Sequence, residues 1–140
     1  MNQVVFLVEG EPTGKGRPRF TNTGKHVYTP YKTAQYEELV GLSYRNVAHG
    51  YCFKSPVRVS IIACFKPPKR SKKIVQDMLL NTILPTKKPD VDNIAKIILD
   101  GLNNVAWLDD VQVVEMTVTK RYKEIPCVIV KIEEINAARC

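Results

Sequence analysis

The chain has 140 residues, 25% of them charged and 44% hydrophobic, with 21 Lys+Arg against 14 Asp+Glu for a formal charge of +7. That length suits one domain (1–140) with its own core, and that composition is ordinary globular usage, with disorder expected only at the ends. The basic surplus bears on partners and not on fold, and favours nucleic acid or an anionic surface.

Residues 3–9 (QVVFLVE) read as a first strand. Residues 10–20 carry Gly and Pro and read as loop, and Asn22-Thr23-Gly24-Lys25 is a turn signal for a hairpin between Arg19-Phe20 and His26-Val27-Tyr28. Thr29-Pro30 resembles a helix cap with Pro at the first helical position. Tyr36, Leu39, Val40, Tyr44 and Val47 then recur at helical spacing, which predicts a helix over 31–48 that ends before Gly50. Residues 56–65 alternate, with Val57, Val59, Ile61, Ala63 and Phe65 on one face. Ser71 caps a short predicted helix over 72–80, and 85–90 is a Pro-punctuated loop.

Residues 92–103 read as a helix with Asp92 as N-cap and Ile94, Ile97, Ile98 and Leu102 apolar. Residues 111–122 read as a strand with Val114, Met116 and Val118 on one face, and 126–134 as a last strand paired with it in an antiparallel hairpin. The class is α+β: a small mixed sheet with about three helices packed on it.

Residues 1–11 lack a basic leader and a long apolar run, so no signal peptide is expected. No stretch approaches the ~20 apolar residues of a membrane span, so a cytoplasmic protein with no membrane partner is expected. Cys52, Cys64, Cys127 and Cys140 include no C-x-x-C pair, and there are two histidines, His26 and His49, so zinc is not expected. Cys64 and Cys127 lie in apolar runs and are expected in the core.

Five of the 14 acidic residues fall in 87–112 (KKPDVDNIAKIILDGLNNVAWLDDVQ). In extended backbone Asp90 and Asp92 point the same way. Two carboxylates side by side repel, and a hard cation such as Mg²⁺ relieves them while leaving room for a phosphate. A helix of roughly 11 residues travels about 16 Å. The stretch 104–109 spans about 20 Å when extended, so Asp110 can return to the same site if it begins the next strand. Three carboxylates around Mg²⁺ would suit phosphodiester hydrolysis. Lys96 shares a helical face with Asp92, four residues earlier, and can pair with it or place positive charge near the reacting phosphate. Asp100 stands four residues after Lys96 and reads as its surface partner. Each aspartate pair alone is equally at home in a turn or cap, and only the joint pattern is informative.

Basic clusters offer phosphate contacts: Lys15, Arg17 and Arg19 in a Gly-containing loop, Lys69, Arg70, Lys72 and Lys73 after Pro67-Pro68, and Lys87 and Lys88 before the carboxylates. Phe20, Tyr28 and Tyr31 are either core aromatics or stacking groups for an opened base. Trp107 is expected to pack beneath the acidic site.

The run Lys88-Pro89-Asp90-Val91-Asp92-Asn93, Lys96, Leu99-Asp100-Gly101-Leu102 and Trp107-Leu108-Asp109-Asp110-Val111-Gln112-Val113 resembles the signature of the RusA family of Holliday junction resolvases, often found in phages and prophages. Gly14-Lys15-Gly16-Arg17-Pro18-Arg19 is similar to the family's N-terminal loop. The resemblance implies a RusA-like fold and an endodeoxyribonuclease of DNA recombination and repair. It implies Asp90, Asp92 and Asp110 as catalytic metal ligands, Lys96 as an essential lysine, and Asp109 as a possible supporting ligand. It implies Mg²⁺ (with Mn²⁺ as substitute), no organic cofactor, and a homodimer that cuts four-way junction DNA symmetrically. The helix at 31–48 and the final strands are candidate dimer elements. Gly101 departs from the alanine usual there, which bears on local stability. The competing readings are a non-catalytic module for branched or single-stranded nucleic acid, and a metal nuclease acting on flaps or forks.

Overall fold

Alternation in Gln3–Glu9 buries Val4, Phe6 and Val8 and turns Val5 and Leu7 outward, which makes the first strand, β1. The computed structural model describes residues 2–16, 19–20, 27–28 and 31–135. The turn at 22–25 and the Thr29-Pro30 cap lie outside the described residues. Two short strands, β2 (Arg19–Phe20) and β3 (Val27–Tyr28), pair antiparallel with Arg19 opposite Tyr28, as the turn signal predicts.

The helix α1 (Tyr31–Ala48) has the predicted bounds. It buries Tyr36, Val40, Tyr44 and Ala48, one row at i, i+4, and leaves Leu39 and Val47 exposed. The next strand, β4 (Val57–Phe65), buries Val57, Val59, Ile61, Ala63 and Phe65 on the expected face. The short helix α2 (Lys72–Leu79) is capped by Ser71, whose hydroxyl accepts from the Ile74 amide. The helix α3 (Val91–Leu102) begins and ends one residue earlier than its sequence pattern predicts, and buries Ile94, Ile97, Ile98 and Leu102. A 3₁₀ turn (Asp110–Gln112) leads into β5 (Val113–Tyr122), and β6 (Cys127–Glu134) follows.

These four longer strands form one mixed sheet in the order β1-β6-β4-β5, with β4 and β5 parallel and the other neighbours antiparallel. The helices α1 and α3 pack on each other and over the sheet face that carries Val8, Ile61 and Val130. Phe6 and Tyr44 meet edge to face there, ring centroids 5.6 Å apart. The result is the expected α+β domain with three helices on a mixed sheet.

Two expectations need correction. The strands β5 and β6 do not form a hairpin, because β6 inserts between β1 and β4 and leaves β5 at the edge. Cys127, Val128 and Val130 of β6 are all buried, which suits an inner strand, whereas β5 exposes Glu115, Thr117 and Arg121. The connection passes over the end of β4, where the Lys123 amide donates to the Phe65 carbonyl at 2.9 Å. Val114 also does not share the face of Met116 and Val118. A register shift pairs Val57 with Val113 but Arg58 with Glu115, and this bulge turns Val114 out to 61% exposure.

Cys64 and Cys127 face each other across β4 and β6, both buried as expected. Burial, reinforced by Cys127, pushes the Cys64 thiol up to about 11, so it behaves as packing and not as a nucleophile.

Candidate active site

The α3 N-terminus is built by Asp90. Its backbone is extended, and its Oδ1 accepts from the Asn93 amide at 3.1 Å and from Asn93 Nδ2 at 2.8 Å. Asp90 is therefore the N-cap, and Asp92, expected as the cap, lies in the first helical turn. The two aspartates thus do not share one side of an extended segment; they flank a helix start, where the positive end of the helix dipole favours both. Both side chains are exposed, as is Lys96 one turn further on.

Lys96 pairs with neither Asp92 nor Asp100 among the described residues. Asp100 is engaged elsewhere: Lys15 Nζ lies 2.9 Å from Asp100 Oδ2 and also binds Glu37 of α1. Burial alone would lower the Lys15 pKa, but the hydrogen bonds and charges of Glu37 and Asp100 outweigh it and hold the ammonium above its ordinary 10.5. Lys15, expected as a DNA contact, is thus occupied as a tie between α1 and α3.

The loop that carries it is seated on the site. The Lys15 amide donates to the Asn93 carbonyl at 3.0 Å, and the Gly16 amide donates to the buried Thr33 hydroxyl at 3.1 Å. A Cβ on Gly14 would stand 2.7 Å from Pro89 Cβ, so only glycine permits this approach. Between loop and helix opens a cleft of about 520 Å³ lined by Gly14, Lys15, Lys88, Pro89, Asp90 and Asn93. Glycine is also required at Gly101, where a Cβ would lie 2.9 Å from both the Glu37 carbonyl and Val40 Cβ. The departure from alanine there lets α1 and α3 close on each other.

Asp109 and Asp110 lie at the opposite end of α3. Lys87, just before the helix, reaches Phe65 at the finish of β4. After the helix the chain meets the approach to β4: the Phe53 amide donates to the Ala106 carbonyl at 2.7 Å, and Gln112 Nε2 donates to the Phe53 carbonyl at 2.9 Å. The 12 residues of α3 span about 18 Å between these ends. Residues 103–109 do not run back along the helix as expected. They fold into a knot of turns, with the Asn104 amide on the Trp107 carbonyl and Trp107 Nε1 on Asn103 Oδ1, both at 2.7 Å. Trp107 is fully buried, but beneath this far end. Among the described residues no three His, Cys, Asp or Glu side chains converge as a metal cage. One chain brings Asp90 and Asp92 to one end of α3, and Asp109 and Asp110 to the other.

The basic residues divide similarly. Lys88 lines the cleft, and Lys69, Arg70 and Lys72 are exposed, whereas Lys73 pairs with Asp77 at 3.1 Å. Arg17 and the Arg19, Phe20 and Tyr28 side chains lie outside the described residues, and Tyr31 is 75% exposed. Sequence reasoning missed Glu37 as a partner of Lys15, and it missed Lys120 of β5, whose Nζ binds the Lys87 carbonyl. The signal for Lys120 was its parity with Met116 and Val118 on the helix-covered face.

Among the described residues no helix is long and apolar enough to cross a membrane. The family model described as Endodeoxyribonuclease RusA matches residues 9–133. The chain is also similar to a protein of Bacillus subtilis (strain 168) named Uncharacterized protein YqaN, 35% identical over 142 residues that cover 98% of this chain and 100% of that protein. With loop, carboxylates and both ends of α3 all inside the matched span, the chain belongs to the RusA family of endodeoxyribonucleases.

Proposed function

We propose that the protein resolves four-way DNA junctions in recombination and repair, as a Mg²⁺-dependent homodimer with Asp90, Asp92, Asp110 and Lys96 in its active site. The observation that carries this reading is the exposed group at the α3 start. Asp90 lines the cleft, Asp92 and Lys96 are exposed on the helix that starts there, and Lys96 has no carboxylate within ion-pair reach among the described residues.

The donor set is hard carboxylate oxygen, which suits Mg²⁺ or Mn²⁺. Asp90 offers Oδ2, since Oδ1 is held by Asn93. With Asp110 beyond the far end of α3, whose 12 residues span about 18 Å, we read the full ligand set as drawn from two chains. Asp90 and Asp92 of one copy would meet Asp110 of a second, with Asp109 in support. A two-fold axis makes two such sites, one for each strand to be cut. The metal, when bound, would supply an activated water and neutralise charge on the phosphate. The chain's own residues do the rest. Asn93 fixes the Asp90 carboxylate, the Lys96 ammonium faces developing negative charge, and Lys88 with the exposed Lys69, Arg70 and Lys72 positions the backbone.

The test is cleavage of a synthetic mobile four-way junction with Mg²⁺ or EDTA, beside Asp90→Asn. Paired symmetric nicks with Mg²⁺ alone, lost in the variant, are expected. Equal cutting of linear duplex would remove the junction assignment and leave a nuclease. Metal-independent binding with no product under any divalent cation would overturn the nuclease reading.

A further inference from the structure

Lys120 is out of place for a structural residue. In the register of β4 and β5 it follows Met116 and Val118 on the helix-covered face, opposite Ala63. Its Nζ lies 5.3 Å from the centroid of the Phe65 ring, and Lys87 Nζ lies 5.4 Å from the same centroid. The Lys120 ammonium also donates to the Lys87 carbonyl, which ties the two residues together. Phe65 is only 1% exposed, so its ring is a fixed platform.

Two like charges over one ring repel, and the ring's quadrupole offsets them only in part. Lys15, Arg58, Lys73 and Lys131 each have a carboxylate partner. Lys87 and Lys120 have none among the described residues. Lys87 also sits three residues before Asp90, and the two lysines lie at the end of the sheet where α3 begins.

We propose that Lys87 and Lys120, held over Phe65, form a clamp for one backbone phosphate of the DNA strand that enters the Asp90 cleft. The clamp rests on the nuclease reading given above. Lysine suits it, because two compact point charges grip a phosphate without reading its sequence.

The test is binding of a labelled four-way junction in EDTA across a salt series, for Lys87→Met, Lys120→Met and the double variant. Methionine keeps the stems packed on Phe65, and thermal melting checks the fold. Loss of one phosphate contact lowers the slope of log K against log[salt] by about 0.9. The double variant should show that single loss, Lys120→Arg should restore the slope, and Lys131→Met should leave it unchanged. An unchanged slope in the double variant, with wild-type cleavage intact, overturns the clamp and spares the nuclease reading. A loss of about 1.8 means two separate phosphates and also overturns it. Binding of inorganic phosphate that needs both lysines, with no change in junction slope, makes free phosphate the occupant and removes the DNA assignment. If the wild type neither binds nor cuts the junction, the nuclease reading falls and the clamp with it.

Discussion

Lys15 is joined to Asp100, its Nζ 2.9 Å from Oδ2, and so occupies the carboxylate that stands four residues after Lys96 on α3. Two lysines of similar sequence prominence thus have opposite employment. One is a tie and the other is left exposed and unpaired among the described residues.

Their variants should separate accordingly. Lys15→Met strands Glu37 and Asp100 and should cost about 1–2 kcal/mol by urea denaturation. Lys96→Met should stay within about 0.5 kcal/mol of wild type yet abolish junction cleavage. A fully stable but inactive Lys15→Met would return Lys15 to the DNA contacts.

The Lys15 tie has a pH signature. Its folded pKa is raised above 10.5, so the stabilisation is fully present below that value and is lost as pH rises through the folded pKa. The stability difference between wild type and Lys15→Met should therefore be flat from neutral pH to about 10.5 and shrink above it. A difference that already shrinks between pH 7 and 9 would point to another group.

Asp90 serves both as cap and as ligand, and the two roles come apart by substitution. Asn caps a helix as well as Asp, so Asp90→Asn should hold stability within about 0.5 kcal/mol while cleavage disappears. Asp90→Ala should lose cleavage and about 1 kcal/mol as well. Equal stability of the two variants would show that the Asn93 contacts contribute nothing.

A site shared between two copies predicts complementation. Asp90→Asn and Asp110→Asn should each be inactive, yet a mixture allowed to exchange subunits should nick one strand. Each mixed dimer then holds one intact site and one doubly impaired site. No recovery, with exchange verified by mass, would place all three aspartates of a site within one chain.

Gly101→Ala tests the helix crossing. The helix propensity gain is about 1 kcal/mol. The new Cβ, 2.9 Å from the Glu37 carbonyl and Val40, forces α1 aside at about 1–3 kcal/mol. A net loss near 1 kcal/mol is expected by denaturation. A gain would mean that α1 shifts without penalty.

Much of this was legible in the residues. The apolar run of β1, the alternation that opens β4 and the spacing of Tyr36, Val40 and Tyr44 are local signals, and their elements formed where expected. The order of strands was not, because adjacency in a sheet is decided by burial across the whole domain. The continuous apolar run Cys127–Val130 was the cue that β6 belongs inside. The aspartates were visible as a pattern. Their separation was not, since it depends on the Trp107–Asn103 hydrogen bond that folds 103–109 in place. The bond from Lys15 to Asp100 joins positions far apart in sequence, and no local pattern announces it.

The position of β6 also governs when the molecule can exist. Among the described residues β1 touches no strand but β6, and β6 is what joins it to β4. A growing polypeptide that has emerged only as far as Tyr122 can pair β4 with β5, but its first strand has no neighbour and its core no closure. The sheet therefore closes late in translation, only after residues 127–134 have been made.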